Sequence, residues 1–149
     1  MKSGIDYTKY ITIIMITMDR PDFVIRALSY YLSTDFDGHI VIGDSSNSKN
    51  FKRISDYIND QNNNNKISHK FFPKYCTTNE IAFELITLIK TEYGVISGDD
   101  DFLVPRTLGL CAEHLNKNSE IIGATGHRID FELNEGSIYL IDGQYSHNG

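Results

Sequence analysis

The sequence predicts a three-layer α/β sandwich, in which helices cover both faces of a mostly parallel central sheet and a small antiparallel extension lies near the C-terminus. Short runs of β-branched and apolar residues alternate along the chain with stretches that have apolar residues at helical spacing. Such alternation of strand and helix is typical of a parallel sheet. The length of 149 residues suits one domain, residues 1–149.

The first part of the chain contains two strand–turn–helix units. Both strands are nearly continuous runs of β-branched and apolar residues, as expected for strands that are buried on both faces of a parallel sheet. Each strand is followed by a polar turn and then by a helix with one apolar stripe. The strands, turns and helices are predicted, in chain order, at residues 11–16, 18–22, 23–32, 39–43, 44–48 and 51–58.

The remaining elements are less regular. Residues 60–65 end in four consecutive asparagines and are predicted to form a loop. Thr77 and Glu80 have the spacing of a capping box, which predicts a helix that runs from there to about Thr91. Strands are further predicted at residues 66–72, 93–97, 120–132 and 137–141, with a helix at 106–116 and a turn at 134–136.

Charge and composition exclude several classes of protein. The formal net charge of -6 opposes binding to a phosphate backbone, and no basic cluster offsets it. The most apolar stretch, residues 11–18, is far shorter than a membrane-spanning helix, and the N-terminus lacks the pattern of a signal peptide. Cys76 and Cys111 lack the spacing of a metal knuckle. We therefore expect a cytoplasmic protein with no transmembrane segment and no nucleic-acid partner.

Three consecutive acids, Asp99, Asp100 and Asp101, follow the fourth predicted strand. Adjacent carboxylates repel one another unless a cation or hydrogen-bond donors offset the charge, so the cluster favours a metal site. In extended backbone Asp99 and Asp101 project to the same side and are the candidate ligands of Mg²⁺ or Mn²⁺, while Asp100 could meet a ribose hydroxyl. The alternative is a solvated turn. Apolar residues on both sides favour the fixed site.

The acidic cluster is expected to have neighbours at the same edge of the sheet. Thr17 and Asp44 end or follow the first two predicted strands, as Asp99 follows the fourth. In open α/β sheets ligands bind outside the carboxyl ends of the strands. We therefore expect Thr17, Asp44 and the aspartate cluster to converge on one cleft.

Three segments, residues 11–21, 40–46 and 97–103, resemble in order and spacing the signature segments of family-2-type glycosyltransferases of the GT-A fold. The resemblance covers about the first two-thirds of the chain. It implies that Thr17 and Arg20 contact the nucleobase, that Asp44 holds the uracil or ribose, and that Asp101 and Asp99 bind the metal. Many relatives carry an acid at the position of Gly98, which leaves open which two of the three aspartates touch the metal.

The resemblance implies the transfer of a sugar from a nucleoside diphosphate sugar, with UDP as the expected carrier, to a hydroxyl of a saccharide or other acceptor. Inverting relatives use a carboxylate base from an acceptor-binding segment, which this chain is expected to lack. The catalytic base is therefore unassigned, with Asp130, Glu132 or Asp142 as weak candidates. Lys74 and Asn79 lie near a third nucleotide-contacting region, but surface exposure and helix capping explain them equally well.

Two alternatives remain open. One is a truncated or non-catalytic module that binds a nucleotide sugar without turnover. The other is a nucleotidyltransferase, which uses a similar sheet with metal and acids. That class usually has a glycine-rich loop after its first strand, and residues 17–21 contain no glycine. The glycosyltransferase interpretation is therefore preferred.

Overall fold

A four-stranded parallel sheet forms the centre of the computed structural model, which describes residues 6–61, 64–134 and 137–141. Its strands lie in the order β3, β2, β1, β4. They are β1 (Ile11–Thr17), β2 (His39–Asp44), β3 (Ile67–Phe71) and β4 (Tyr93–Gly98). The predicted α/β fold with a mostly parallel sheet is confirmed.

Within the described residues, four α-helices cover the two faces of the sheet. They are α1 (Pro21–Ser33), α2 (Ser48–Asn59), α3 (Thr78–Ile86) and α4 (Pro105–Lys117). Buried residues of α1, α2 and α4 pack with one face of the strands, and those of α3 pack with the other. Short 3₁₀ helices occur at Tyr7–Tyr10 and Asn64–Lys66. Among the described residues, no helix is long and apolar enough to cross a membrane.

Successive residues of β1 supply both cores. Ile13 belongs to the core beneath α1 and α2, and Ile14 belongs to the core beneath α3. Both side chains are buried because neighbouring residues of a strand point to opposite faces. Burial on both faces thereby explains the nearly continuous run of apolar and β-branched residues in this part of the sequence.

A glycine in β2 allows α3 to lie directly on the sheet. A Cβ atom at Gly43 would be 2.4 Å from Ile81 Cγ2 and 2.9 Å from Leu85 Cδ1. Real side chains do not approach so closely, so α3 would have to shift if residue 43 had one. The β3–α3 connection follows the carboxyl end of β3 and lies at that edge of the sheet, where Lys74 contacts Asp19.

Two predicted boundaries are wrong. Helix α3 ends at Ile86 and does not run to Thr91, because the Thr87 amide and hydroxyl both donate to the Glu84 carbonyl, at 3.2 and 2.6 Å, and tighten the last turn. The strand predicted at 120–132 is confined to β5 (Asp130–Asn134), which pairs antiparallel with β6 (Ser137–Ile141). Residues 121–129 have no strand partner within the described chain. Residues 135 and 136 of the predicted turn lie outside the described residues.

Candidate functional site

The carboxyl ends of β1, β2 and β4 lie side by side. In the parallel register Thr17 is opposite Asp44, and Ile16 is opposite Gly98. The structure therefore brings Thr17, Asp44 and the aspartate cluster to the same edge of the sheet. We call the group formed by Asp99, Asp100 and Asp101 the aspartate cluster below.

Arg20 and Thr17 hold the first aspartate of the cluster. The Thr17 hydroxyl donates to Asp99 Oδ2 at 2.7 Å, and Arg20 Nη1 lies 3.0 Å from Asp99 Oδ1. The same guanidinium donates from Nη2 to Asp100 Oδ2 at 2.9 Å. The Asp99 side chain is only 4% exposed, whereas that of Arg20 is 42% exposed. Arg20 thus bridges the buried carboxylate of Asp99 and the exposed carboxylate of Asp100.

The pKa values of the adjacent carboxyl groups of Asp99 and Asp100 are shifted in opposite directions. Burial raises the pKa of Asp99, although the Thr17 hydrogen bond and the Arg20 charge act in the opposite direction. The hydrogen bond from Arg20 lowers the pKa of Asp100, which is far better solvated. The guanidinium pKa is raised in return, chiefly by its hydrogen bond to Asp100. One cation therefore stabilises two carboxylates, and a third carboxylate lies beside them.

That third carboxylate, Asp101, is exposed and has no hydrogen bond or ion pair within the described residues. A Cβ atom at Gly98 would lie 2.9 Å from Asp100 Oδ1 and 3.0 Å from Asp101 Oδ2. Both carboxylates thus face the space that the glycine leaves open. Carboxylate oxygens suit Mg²⁺ and Mn²⁺, so the donor set fits a divalent cation. The described residues contain no group of three or more His, Cys, Asp or Glu side chains placed as a metal site, so substrate and water oxygens would have to complete the shell.

Asp44 is sealed inside the protein. Its carboxylate is 0% exposed; Oδ1 accepts from the Ser46 amide at 2.7 Å, and Oδ2 lies 2.9 Å from His69 Nε2. The other ring nitrogen of His69 is 3.0 Å from the Ser55 hydroxyl, and the ring stacks on Phe51 at 4.2 Å. A ligand could touch Asp44 only if these groups moved. The expected contact with uracil or ribose therefore stays a prediction.

His69 was not among the residues singled out from the sequence. It lies in β3, next to β2, and 25 positions separate it from Asp44. The only local signal was a histidine in the middle of a predicted strand. Because such a residue is so often an ordinary core or surface side chain, that signal is weak.

Asp19 joins three loops above the sheet edge. Its Oδ1 accepts from the Asn47 amide at 2.8 Å, from Asn47 Nδ2 at 2.5 Å and from Asn50 Nδ2 at 3.1 Å, and Lys74 Nζ contacts its Oδ2 at 2.6 Å. The Lys74 hydrogen bond is the main cause that lowers the pKa of Asp19 to about 2. The backbone of Asp19 is left-handed, with φ of 56°. The sequence places this residue only in the predicted turn at residues 18–22.

The catalytic base remains unassigned. The Asp130 carboxylate accepts from Arg128 Nε at 2.6 Å, two residues before it. Glu132 lies two residues further along β5, in the antiparallel hairpin and not in the parallel sheet. Asp142 lies outside the described residues. No described contact joins Asp130 to the aspartate cluster.

Comparison with known proteins gives a structural likeness. No protein-family model and no curated protein matches the chain. A solved structure of the mannosyltransferase PcManGT from Pyrobaculum calidifontis, in complex with GDP-Man and Mn²⁺, is similar with a TM-score of 0.59 and 15% sequence identity. The match covers 71% of this chain and 32% of that chain, so this chain spans about a third of that protein's length. At this identity the likeness shows the fold alone, which is an α/β fold also found in a glycosyltransferase.

Proposed function

We propose that this chain is the donor-binding domain of a glycosyltransferase and holds a nucleoside diphosphate sugar and a divalent cation, Mn²⁺ or Mg²⁺, at the carboxyl edge of its sheet. The observation that supports this most directly is the exposed Asp101 carboxylate beside Asp100 and the gap at Gly98. The fold shared with an enzyme whose structure contains GDP-Man and Mn²⁺ supports it independently.

Asp101 is the first proposed ligand of the cation. Asp99 is the second if Arg20 releases it, and Asp100 is the second in the arrangement described here. A bound divalent cation would stabilise the negative charge that develops on the leaving diphosphate. Thr17 keeps Asp99 in place through its hydroxyl, and Arg20 offsets part of the negative charge that would otherwise repel a diphosphate.

The nucleoside side of the proposed site is the loop between β2 and α2. Asp44 fixes this loop from below through the Ser46 amide, and Asp19 fixes it from above through Asn47. We propose that Asp44 acts by shaping the loop, and Thr17 and Arg20 by bordering it. UDP as the carrier is part of the proposal, and the GDP of the structural neighbour is the alternative to compare.

A second candidate is a binding module that holds the nucleotide sugar without transferring it. The pairing of Asp130 with Arg128 favours it, because that carboxylate already has a cationic partner close in sequence. Transfer to a defined acceptor hydroxyl by the 149-residue chain would exclude this candidate. Binding with at most slow hydrolysis of the donor would support it.

The test is the thermal stability of the protein with UDP, GDP and their sugars, each with and without Mn²⁺. We expect the nucleotide to stabilise the protein only when Mn²⁺ is present, because the carboxylates alone would repel the diphosphate. At a ligand concentration of about 100 times the dissociation constant the added stability is roughly 2.7 kcal/mol, or a melting shift of about 5 °C or more.

Two variants with the same chemical change calibrate this test. Asp101→Asn should abolish most of the shift because it removes a metal ligand and keeps the shape of the side chain. Asp60→Asn, on the exposed C-terminal cap of α2, should leave the shift intact. A shift that needs no metal, or that survives Asp101→Asn, would contradict the proposed site.

A further inference from the structure

Arg20 forms ion pairs with the first two aspartates of the cluster. Its two terminal nitrogens contact Asp99 Oδ1 at 3.0 Å and Asp100 Oδ2 at 2.9 Å. The guanidinium carbon Cζ also lies over the ring of Phe23, at 4.1 Å from its centroid. Both kinds of contact hold the positive charge against the cluster.

We propose that Arg20 is a built-in counter-ion that competes with a divalent cation for Asp99 and Asp100, so that this arginine lowers the affinity of the site for metal. This inference deepens the proposed function and depends on its metal site. The aspartates contribute three negative charges, and Arg20 neutralises part of them in the absence of metal. A cation that recruits Asp99 or both oxygens of Asp100 therefore has to break charge-assisted hydrogen bonds first.

The released guanidinium has a second partner in the proposed complex. It is 42% exposed, and its planar fork matches the oxygens of a phosphate as well as those of a carboxylate. When the cation takes over the aspartates, Arg20 is free to pair with the diphosphate of the donor. Metal and nucleotide would then strengthen each other's binding, because the metal releases Arg20 for the diphosphate and the diphosphate stabilises the released Arg20.

This exchange predicts effects of opposite sign for one substitution. Arg20→Gln should bind Mn²⁺ alone about 10-fold more tightly, because a charge-assisted hydrogen bond no longer has to be broken. The same variant should bind the nucleoside diphosphate with Mn²⁺ about 10-fold more weakly, because a charged phosphate contact is lost. A residue with a purely structural role would change both affinities in the same direction or neither.

The experiment measures Mn²⁺ binding through the paramagnetic resonance signal of free Mn²⁺, first without nucleotide and then with UDP or GDP. Arg20→Lys is the conservative variant, which keeps the charge but cannot bridge two carboxylates. Its affinity for Mn²⁺ alone should therefore lie between that of the wild type and that of Arg20→Gln. Arg53→Gln is the matched control, because Arg53 pairs with Asp22 on the exposed face of α1. It should bind Mn²⁺ as the wild type does.

The outcomes separate this inference from the proposed function. If metal and nucleotide together bind the wild type, but Arg20→Gln and Arg20→Lys bind Mn²⁺ alone no more tightly than it does, the counter-ion role is wrong and the donor site stands. If no variant binds Mn²⁺ with or without nucleotide, the donor site fails as well. Tighter Mn²⁺ binding by Arg20→Gln with unchanged binding by Arg53→Gln supports the inference.

Discussion

Asp44 and Asp101 lie at the same edge of one sheet and differ in almost every other respect. Asp44 is fully buried, and each of its oxygens already has a partner inside the protein. Asp101 is exposed and has no hydrogen bond or ion pair within the described residues. The comparison teaches that position after a strand does not decide the role of a carboxylate. What decides it is whether other groups of the protein already form hydrogen bonds or ion pairs with the carboxylate oxygens.

The largest expected effect separates the two acids by stability. Asp44→Ala should lower the free energy of unfolding by about 3 kcal/mol, since it leaves the Ser46 amide and His69 without their buried acceptor. Asp101→Ala should change it by less than about 0.5 kcal/mol. Urea unfolding followed by circular dichroism measures both. Equal losses would show that the two acids are not the distinct kinds of residue that the geometry indicates.

A smaller effect sharpens the account of Asp44. Asp44→Asn, His69→Gln and the double variant form a cycle that isolates the coupling between the two side chains. We expect a coupling of about 1–2 kcal/mol in the free energy of unfolding, because the contact is buried and both partners have further hydrogen bonds. The same urea unfolding measures it. Additive losses would mean that His69 only fills space above Asp44.

The smallest expected effect concerns pH and compares Asp19 with Asp99. The pKa of Asp19 is lowered from 3.8 to about 2, so its carboxylate adds stability above pH 3.8 that disappears as the pH falls towards 2. The pKa of Asp99 is raised, chiefly by burial, so its ionisation has the opposite sign and lowers stability as the pH rises through its titration. The two acids therefore bend the stability profile in opposite directions.

Substitution of Asp19 tests this pair. Asp19→Asn should flatten the loss of stability between pH 4 and 2, measured as the urea midpoint at each pH. Asp60→Asn, an exposed acid on the cap of α2, is the control and should leave the profile as in the wild type. If Asp19→Asn lost stability between pH 4 and 2 as the wild type does, the contact between Asp19 and Lys74 would not persist in solution.

The sheet was predictable because its signal is local. The run that became β1 is apolar or β-branched at every position, and residues 40–42 of its neighbour β2 repeat the pattern. The meeting of Thr17, Asp44 and the aspartate cluster at one edge followed from the parallel topology alone. The end of α3 was missed because Thr87 competes through its own hydroxyl for a helix carbonyl, and periodicity does not register such a bond.

The inner contacts of the site could not be predicted in the same way. Arg20 meets Asp100 across 80 positions of sequence, and His69 meets Asp44 across 25. Which residues of two loops touch depends on the packing of the helices beneath them, and no spacing in the sequence encodes it. The residue types were recognisable, but their pairing required the three-dimensional structure.

The outer side of β4 has a consequence for the behaviour of the protein at high concentration. β4 is the last strand of its sheet, so no strand among the described residues pairs with its outer backbone edge, and Ile96 on it is 57% exposed. An unpaired edge with an apolar side chain is a template for another strand, whichever chain supplies it. A charged residue in place of Ile96 would hinder edge-to-edge association, which makes Ile96→Lys a practical variant for keeping concentrated samples free of aggregate.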